Sequence, residues 1–362
     1  MEAPADSSGA FLLPIDLITI GMGEHENLQE GTQDKGDSMK SPKVSVIIPF
    51  YNRKRHVKEC LNSVLSSSLK QIEVICVDDG STDGTAELLD KLAAKDSRIV
   101  LIKKDKHEGA YQARWYGLMH AIGEYVHFMD SDDLVDSEAY EELYGIAKVN
   151  NLDQLVFTAE SFNAEKHTPS EKKVKDGFDK HYHLSEECCG KVMGGKELFD
   201  SLCRHKSFFV GFPMRILRRD MIQGRVIPQC NAIWHADNFY SVVWMYWSNR
   251  AMAIDRKFYK RRVHRASITM KKDEEATHFS CILSVIMAFC GIKEFVERGC
   301  QKGTAEYDYV FRLMRGLNKR RVKIPAEKAM QIVESTYVWG GLGATVPFVQ
   351  MCFIQLLDRF LH

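Results

Sequence analysis

The chain carries no net charge: 49 Lys and Arg balance 49 Asp and Glu over 362 residues. That argues against a dedicated nucleic-acid binder, which is usually basic. Its ten cysteines include no Cys-x-x-Cys pair, so a structural zinc site is not expected. No stretch of about 20 apolar residues occurs, so no membrane-spanning helix is expected. No basic leader followed by an apolar run is present, so no secretory signal is read. What remains is ordinary globular composition, 45% hydrophobic and 27% charged. The length suggests about two domains and a core large enough to need no disulfide staples. Unpatterned cysteines in apolar runs read as small hydrophobes in a reducing cytoplasm.

The charge balance is uneven along the chain. Residues 1–42 hold 8 acidic and 2 basic side chains, leaving the remainder with an excess of positive charge. This stretch mixes Gly, Ser, Asp, Glu and Pro with one short apolar patch and reads as a disordered extension. Met39 lies just before the first strong strand, so a natural start at Met39 is one expectation for this end.

From 43 to 160 the pattern alternates. Residues 44–48 are β-branched and apolar apart from Ser45, the signature of a strand buried on both faces. Helical spacing follows through Val57, Cys60, Leu61, Val64 and Leu65. Further strands are expected at 73–77, 98–102, 125–129 and 154–158, with helices at 85–95, 110–122 and 137–150. This order predicts an α/β fold, a mostly parallel sheet flanked by helices. Ligands in such sheets bind at the carboxyl ends of the strands. Two acidic clusters fall there: Asp78 and Asp79 after the second strand, and Asp130, Asp132 and Asp133 after the fourth.

Carboxylates spaced i, i+2 on a bending loop can converge on one divalent cation, and oxygen ligands suit Mg²⁺ or Mn²⁺. An isolated acidic turn is more often solvated or a helix cap. Asp83 could cap the helix at 85–95, and Asp133 could cap the one after it. Two such clusters on one sheet edge make the ligand reading the stronger one.

Three motifs, Val44-Ser-Val-Ile-Ile-Pro-Phe-Tyr-Asn52, Val77-Asp-Asp-Gly-Ser-Thr-Asp-Gly-Thr85 and Gly123-Glu-Tyr-Val-His-Phe-Met-Asp-Ser-Asp-Asp133, together resemble a family 2 glycosyltransferase of the GT-A fold. The resemblance is strong over 43–160 and continues to about 270. It implies that Pro49 and Tyr51 hold the nucleotide base, that Asp79 bonds it, and that Asp78 orders the loop. It places Asp130 near the ribose and Asp132 on the metal. Arg114, in Ala110-Tyr-Gln-Ala-Arg-Trp115, matches a family arginine that pairs with the acidic loop or the diphosphate. His107 and Trp115 depart from the family pattern, standing where asparagine is frequent.

An inverting transferase needs one base for the acceptor hydroxyl, and a positioned carboxylate suffices. By resemblance that base is Asp237, in Trp234-His-Ala-Asp-Asn-Phe-Tyr240, although Ala236 replaces a usual acid. Capping of a buried helix is the competing role for Asp237. Segment 208–219 resembles the run below the acceptor site, its aromatics assigned mainly to core packing. Residues 250–272 hold nine Lys and Arg against Asp255. Within them, 259–269 resembles the family's flexible closing segment, which makes Arg262 a diphosphate contact and His264 a metal ligand.

Residues 271–362 read as a C-terminal helical region, with an amphipathic stretch at 282–295 and a basic run at 315–328. The apolar run 346–357 follows it. Basic then apolar fits either a helical subdomain or dimer contact, or a peripheral helix on the cytoplasmic face of an inner membrane. The expected organisation is therefore 1–42 extension, 43–270 transferase domain (halves 43–160 and 161–270) and 271–362 helical region.

The resemblance implies transfer from a nucleotide donor, UDP-linked by expectation, with Mn²⁺ or Mg²⁺, to a saccharide or lipid-linked saccharide in surface polysaccharide or lipopolysaccharide synthesis. A sugar nucleotidyltransferase would want a Gly-rich basic loop after the first strand, which Pro49-Phe-Tyr-Asn52 is not. A non-catalytic saccharide- or partner-binding protein on the same fold stays open. A receiver domain would need its acidic pair after the first strand.

Overall fold

The computed structural model describes residues 41–162, 182–223 and 236–263, together with Thr304 and Tyr309. The extension at 1–40, His264 and nearly all of the C-terminal helical region lie outside the described residues. Strand β1 (Val44–Phe50) is buried along its whole length. It pairs in parallel with β2 (Ile72–Asp78) on one side and β4 (Tyr125–Phe128) on the other. β3 (Ile99–Lys103) extends the sheet beyond β2. Helices α1 (Lys54–Leu65), α2 (Thr85–Ala93), α3 (Ala110–His120) and α4 (Ala139–Val149) make the crossovers.

Gly117 sets how closely α3 lies on the sheet. A Cβ there would meet Ile47 Cγ2 at 2.4 Å. Any side chain would push the helix outward, and Arg114, one turn earlier, with it.

The sheet is larger than expected and more mixed. Among the described residues it has eight strands in the order β3-β2-β1-β4-β7-β6-β8-β5. The expected fifth strand, β6 (Gln154–Phe162), does not lie beside β4. The short β7 (Arg215–Arg218) is inserted antiparallel between them. β8 (Ala251–Arg262) runs parallel to β6, and the two-residue β5 (Leu134–Val135) closes that edge antiparallel to β8. β8 thus runs on to Arg262, into the first residues of 259–269, where a flexible closing segment was expected. Helices α5 (Gly195–Arg204), α6 (Arg219–Ile222) and α7 (Ala236–Trp247) complete the described chain.

The aromatics of 208–219 fill the core, as expected for most of them. Phe212 packs edge-on against Phe128 and Trp244 with centroids at 5.5 and 5.1 Å, and Phe209 is buried against Tyr182. His127 is fully buried, bridging Tyr140 and the Pro213 carbonyl at 2.9 and 2.8 Å. Among the described residues no helix is long and apolar enough to cross a membrane.

Candidate active site

Strand order reverses between β1 and β4, which is where a crevice between the diverging loops is expected. The Ile47 carbonyl accepts from Met129 N at 3.0 Å. Two residues on, Pro49 turns the same edge toward β4 but has no N–H to offer, so pairing stops. The chain after β4 is free to bend into the Asp130–Asp133 loop. Crevices of this kind at a topological switch point are where open α/β sheets bind ligands.

The loop after β1 is locked to the loop after β2. Asn52, at φ 50°, accepts from Thr82 N at 2.8 Å through its side chain and donates its own N–H to Ser81 Oγ at 3.0 Å. Asp83 accepts from the backbone of Thr85 and Lys54, the first residues of α2 and α1, at 3.0 and 3.2 Å. Its capping role is thus met twice. Asp78 accepts from Ser81 N at 3.2 Å, which turns the same loop.

Asp79 is wrapped by the loop after β3 and is 1% exposed. Its carboxylate accepts from Lys104 Nζ at 2.8 Å, Glu108 N at 3.1 Å and Gly109 N at 2.7 Å. His107 Nδ1 lies 2.7 Å from Asp79 Oδ2. Burial works against the Lys104 ammonium, but its bonds to Asp79 and Glu108 outweigh it and hold it above its ordinary range. Gly80 permits the wrapping: at φ 77° it places no side chain, and a Cβ would stand 3.0 Å from the His107 backbone nitrogen. The His107 ring stacks on Tyr51, centroids 3.6 Å apart and 13° from parallel.

Across the crevice, Arg114 forms an ion pair with Asp130 and lies over the Phe212 ring at 4.7 Å. Of its two expected partners, the acidic loop is the one it holds here. Asp132 Oδ2 is 4.0 Å from Arg53 Nε, which reaches over from the loop after β1. Asp133 does not cap α4, which starts at Ala139 behind Glu138. It is buried and accepts from the Tyr259 hydroxyl at 2.6 Å and Arg262 N at 2.7 Å. Burial first, then the neighbouring Asp132 and Asp130, push its carboxyl well above the usual range.

Arg262 is a strut in this conformation. Its guanidinium donates to the Asp132 carbonyl at 2.7 Å and the Glu59 carboxylate at 2.6 Å, and stands over Phe162. Its side chain is only 3% exposed. The preceding Arg261 instead bonds the Tyr182 hydroxyl. Burial raises the Tyr182 phenol; the Arg261 charge opposes this, while Asp237 and Asp133 add to it.

Asp237 occupies the first turn of α7 and is half-buried. A carboxylate is favoured at a helix N-terminus by the backbone dipole. One turn on, Tyr240 stacks on Tyr111 at 4.9 Å and their hydroxyls bond. Because Tyr111 and Arg114 share α3, one helix braces both the Asp237 helix and Asp130. Beneath lies Arg215, fully buried, its guanidinium pKa pulled down to about 10 by burial, with Asp237 acting against that pull. His264 lies outside the described residues.

Several of these groups were not anticipated. Lys104 and His107 sit after β3, on the rim that already carried the two acidic clusters, and that placement was a usable signal. Arg53 directly follows the first motif. Tyr182 had no local signal; Arg215 and Arg261 lie in the segments 208–219 and 259–269 already singled out, but only the β6-β7-β8 packing separates them from their neighbours.

The family described as Glycosyl transferase family 2 matches residues 45–225. The glycosyltransferase GlyG of Streptococcus pneumoniae serotype 4 is 35% identical over 113 residues, 31% of this chain and 38% of that protein. The poly(ribitol-phosphate) beta-glucosyltransferase of Bacillus spizizenii is 37% identical over 114 residues, 31% of this chain and 18% of that protein. The chain therefore aligns with well under half the length of these relatives. The structure of S. aureus TarS 1–349 in complex with UDP-GlcNAc superposes with a TM-score of 0.59 at 17% identity, over 88% of this chain and 89% of that one. The fold is thus of the GT-A type, and the chain belongs to glycosyltransferase family 2.

Proposed function

We propose that this chain is an inverting transferase that moves a sugar from a UDP-linked donor to a saccharide or lipid-linked saccharide during assembly of a bacterial surface polysaccharide. The observation that carries the reading is the crevice between β1 and β4. Its rim brings Tyr51 and Asp79 to one side and Asp130 and Asp132 to the other. The TarS complex with UDP-GlcNAc and the likeness to a poly(ribitol-phosphate) beta-glucosyltransferase support this reading.

In this reading the base rests on Tyr51 beside Pro49 and bonds Asp79, and Asp130 lies near the ribose. Among the described residues no group of three or more His, Cys, Asp or Glu could hold a metal ion. Mg²⁺-type ions usually take one or two carboxylates plus substrate phosphates. Asp132 therefore fits an ion that arrives with the diphosphate, with His264 as a second ligand. Bound Mn²⁺ or Mg²⁺ would neutralise charge on the departing diphosphate.

Asp237 takes the proton of the acceptor hydroxyl as its oxygen attacks the anomeric carbon from the face opposite the diphosphate. Arg114 holds Asp130 in place, and Arg262 holds the Asp132 backbone. A direct contact of Arg262 with the diphosphate requires its Glu59 pair to open.

The test is transfer from a panel of UDP-sugars to saccharide and lipid-linked acceptors, followed by NMR of the new anomeric centre. A product of inverted configuration supports the reading. A retained configuration, or no transfer from any nucleotide sugar, overturns it.

A further inference from the structure

We propose that the His107 side chain is a built-in occupant of the base seat, which the donor's base must displace. The inference rests on the donor reading above and deepens it.

A base that stacks on Tyr51 and bonds Asp79 needs two features: a flat face and an N–H in the ring plane. The imidazole already supplies both. It lies parallel to Tyr51 with centroids 3.6 Å apart, and its Nδ1 is 2.7 Å from Asp79 Oδ2. A carboxylate offers about four lone-pair positions. Lys104, Glu108, Gly109 and His107 already supply a donor for each. A nucleotide base cannot join without one of them leaving.

Three of the four are poorly placed to leave. Glu108 and Gly109 donate from the backbone, in a loop held against Gly80 and anchored by Lys104 N to the Asp78 carbonyl at 2.9 Å. The Lys104 side chain is 7% exposed and also paired with Glu108. The His107 side chain is 46% exposed. It can rotate into solvent without moving any backbone atom. His107 is therefore the group that exchanges with the base.

An occupied seat weakens apparent affinity by the fraction of molecules in which the seat is open. Removing the imidazole should strengthen nucleotide binding, the reverse of what loss of a ligand contact would do. The experiment is calorimetric titration of UDP with Mn²⁺ into the wild-type chain, His107→Ala and His107→Phe. The expected result is binding about tenfold tighter in His107→Ala, equivalent to about 1.4 kcal/mol. His107→Phe keeps a ring for Tyr51 but no N–H for Asp79, so it should fall between. Equal or weaker UDP binding in His107→Ala, with the wild type binding, overturns this inference and leaves the donor reading standing. Absence of UDP binding in all three proteins overturns both.

Discussion

The Tyr259 hydroxyl donates to Asp133 at 2.6 Å and accepts from Asp130 N at 3.2 Å, so one phenol on β8 spans the acidic loop. Arg262, three residues on, reinforces the tie through its backbone N–H and its guanidinium. The third carboxylate of the loop is therefore a structural anchor, while Asp130 and Asp132 face Arg114 and Arg53.

Tyr259→Phe tests that anchor. It keeps the ring but leaves a buried carboxylate oxygen and a backbone N–H without this partner. An unmet buried polar group costs about 1–3 kcal/mol. Urea unfolding should show a loss in that range. An unchanged midpoint would mean that Tyr259 holds nothing.

His127 predicts an acid limb of stability. Burial lowers its imidazole from 6.5 to about 4. Between those values the unfolded chain binds the proton and the folded chain does not. Stability is thus fully present above about pH 6.5 and lost as pH falls toward 4, by roughly 3 kcal/mol at most. His127→Gln should flatten that part of the profile; unfolding midpoints at pH 7 and 4.5 for both proteins decide it. Parallel profiles would contradict the assignment.

Asp132 and Asp237 should fail in different ways. Asp132→Ala should abolish Mn²⁺-dependent binding of the donor, read by calorimetry. Asp237→Asn should bind the donor normally and lose transfer by about 10²–10⁴-fold, the usual worth of a positioned general base. Full turnover in Asp237→Asn would return Asp237 to the role of helix cap.

The parallel half of the sheet was legible because its strands are continuous apolar runs and its helices repeat at helical spacing. β1 and β2 are buried on both faces, and the β1 run was read so. The antiparallel half was not. β7 has four residues with arginine at each end, too short for any period to emerge. β8 breaks register with β6 between Ala253 and Lys257, where Asp255, Arg256 and Lys257 are all exposed, so its charges masked a strand that is buried at both ends. The acidic clusters stood out as composition at strand ends. The His107–Tyr51 stack did not, because two loops separated by a whole βαβ unit must fold together before the rings meet.

The proposed function requires a nucleoside diphosphate and a divalent ion to bind between the loops that follow β1 and β4. Thermal unfolding with UDP, GDP, CDP and dTDP, each with and without Mn²⁺, tests it most directly. A ligand at 100 times its dissociation constant adds about 2.7 kcal/mol of stability. A clear upward shift is expected with UDP plus Mn²⁺ and little with either alone. No shift with any nucleotide, metal present or absent, would contradict it.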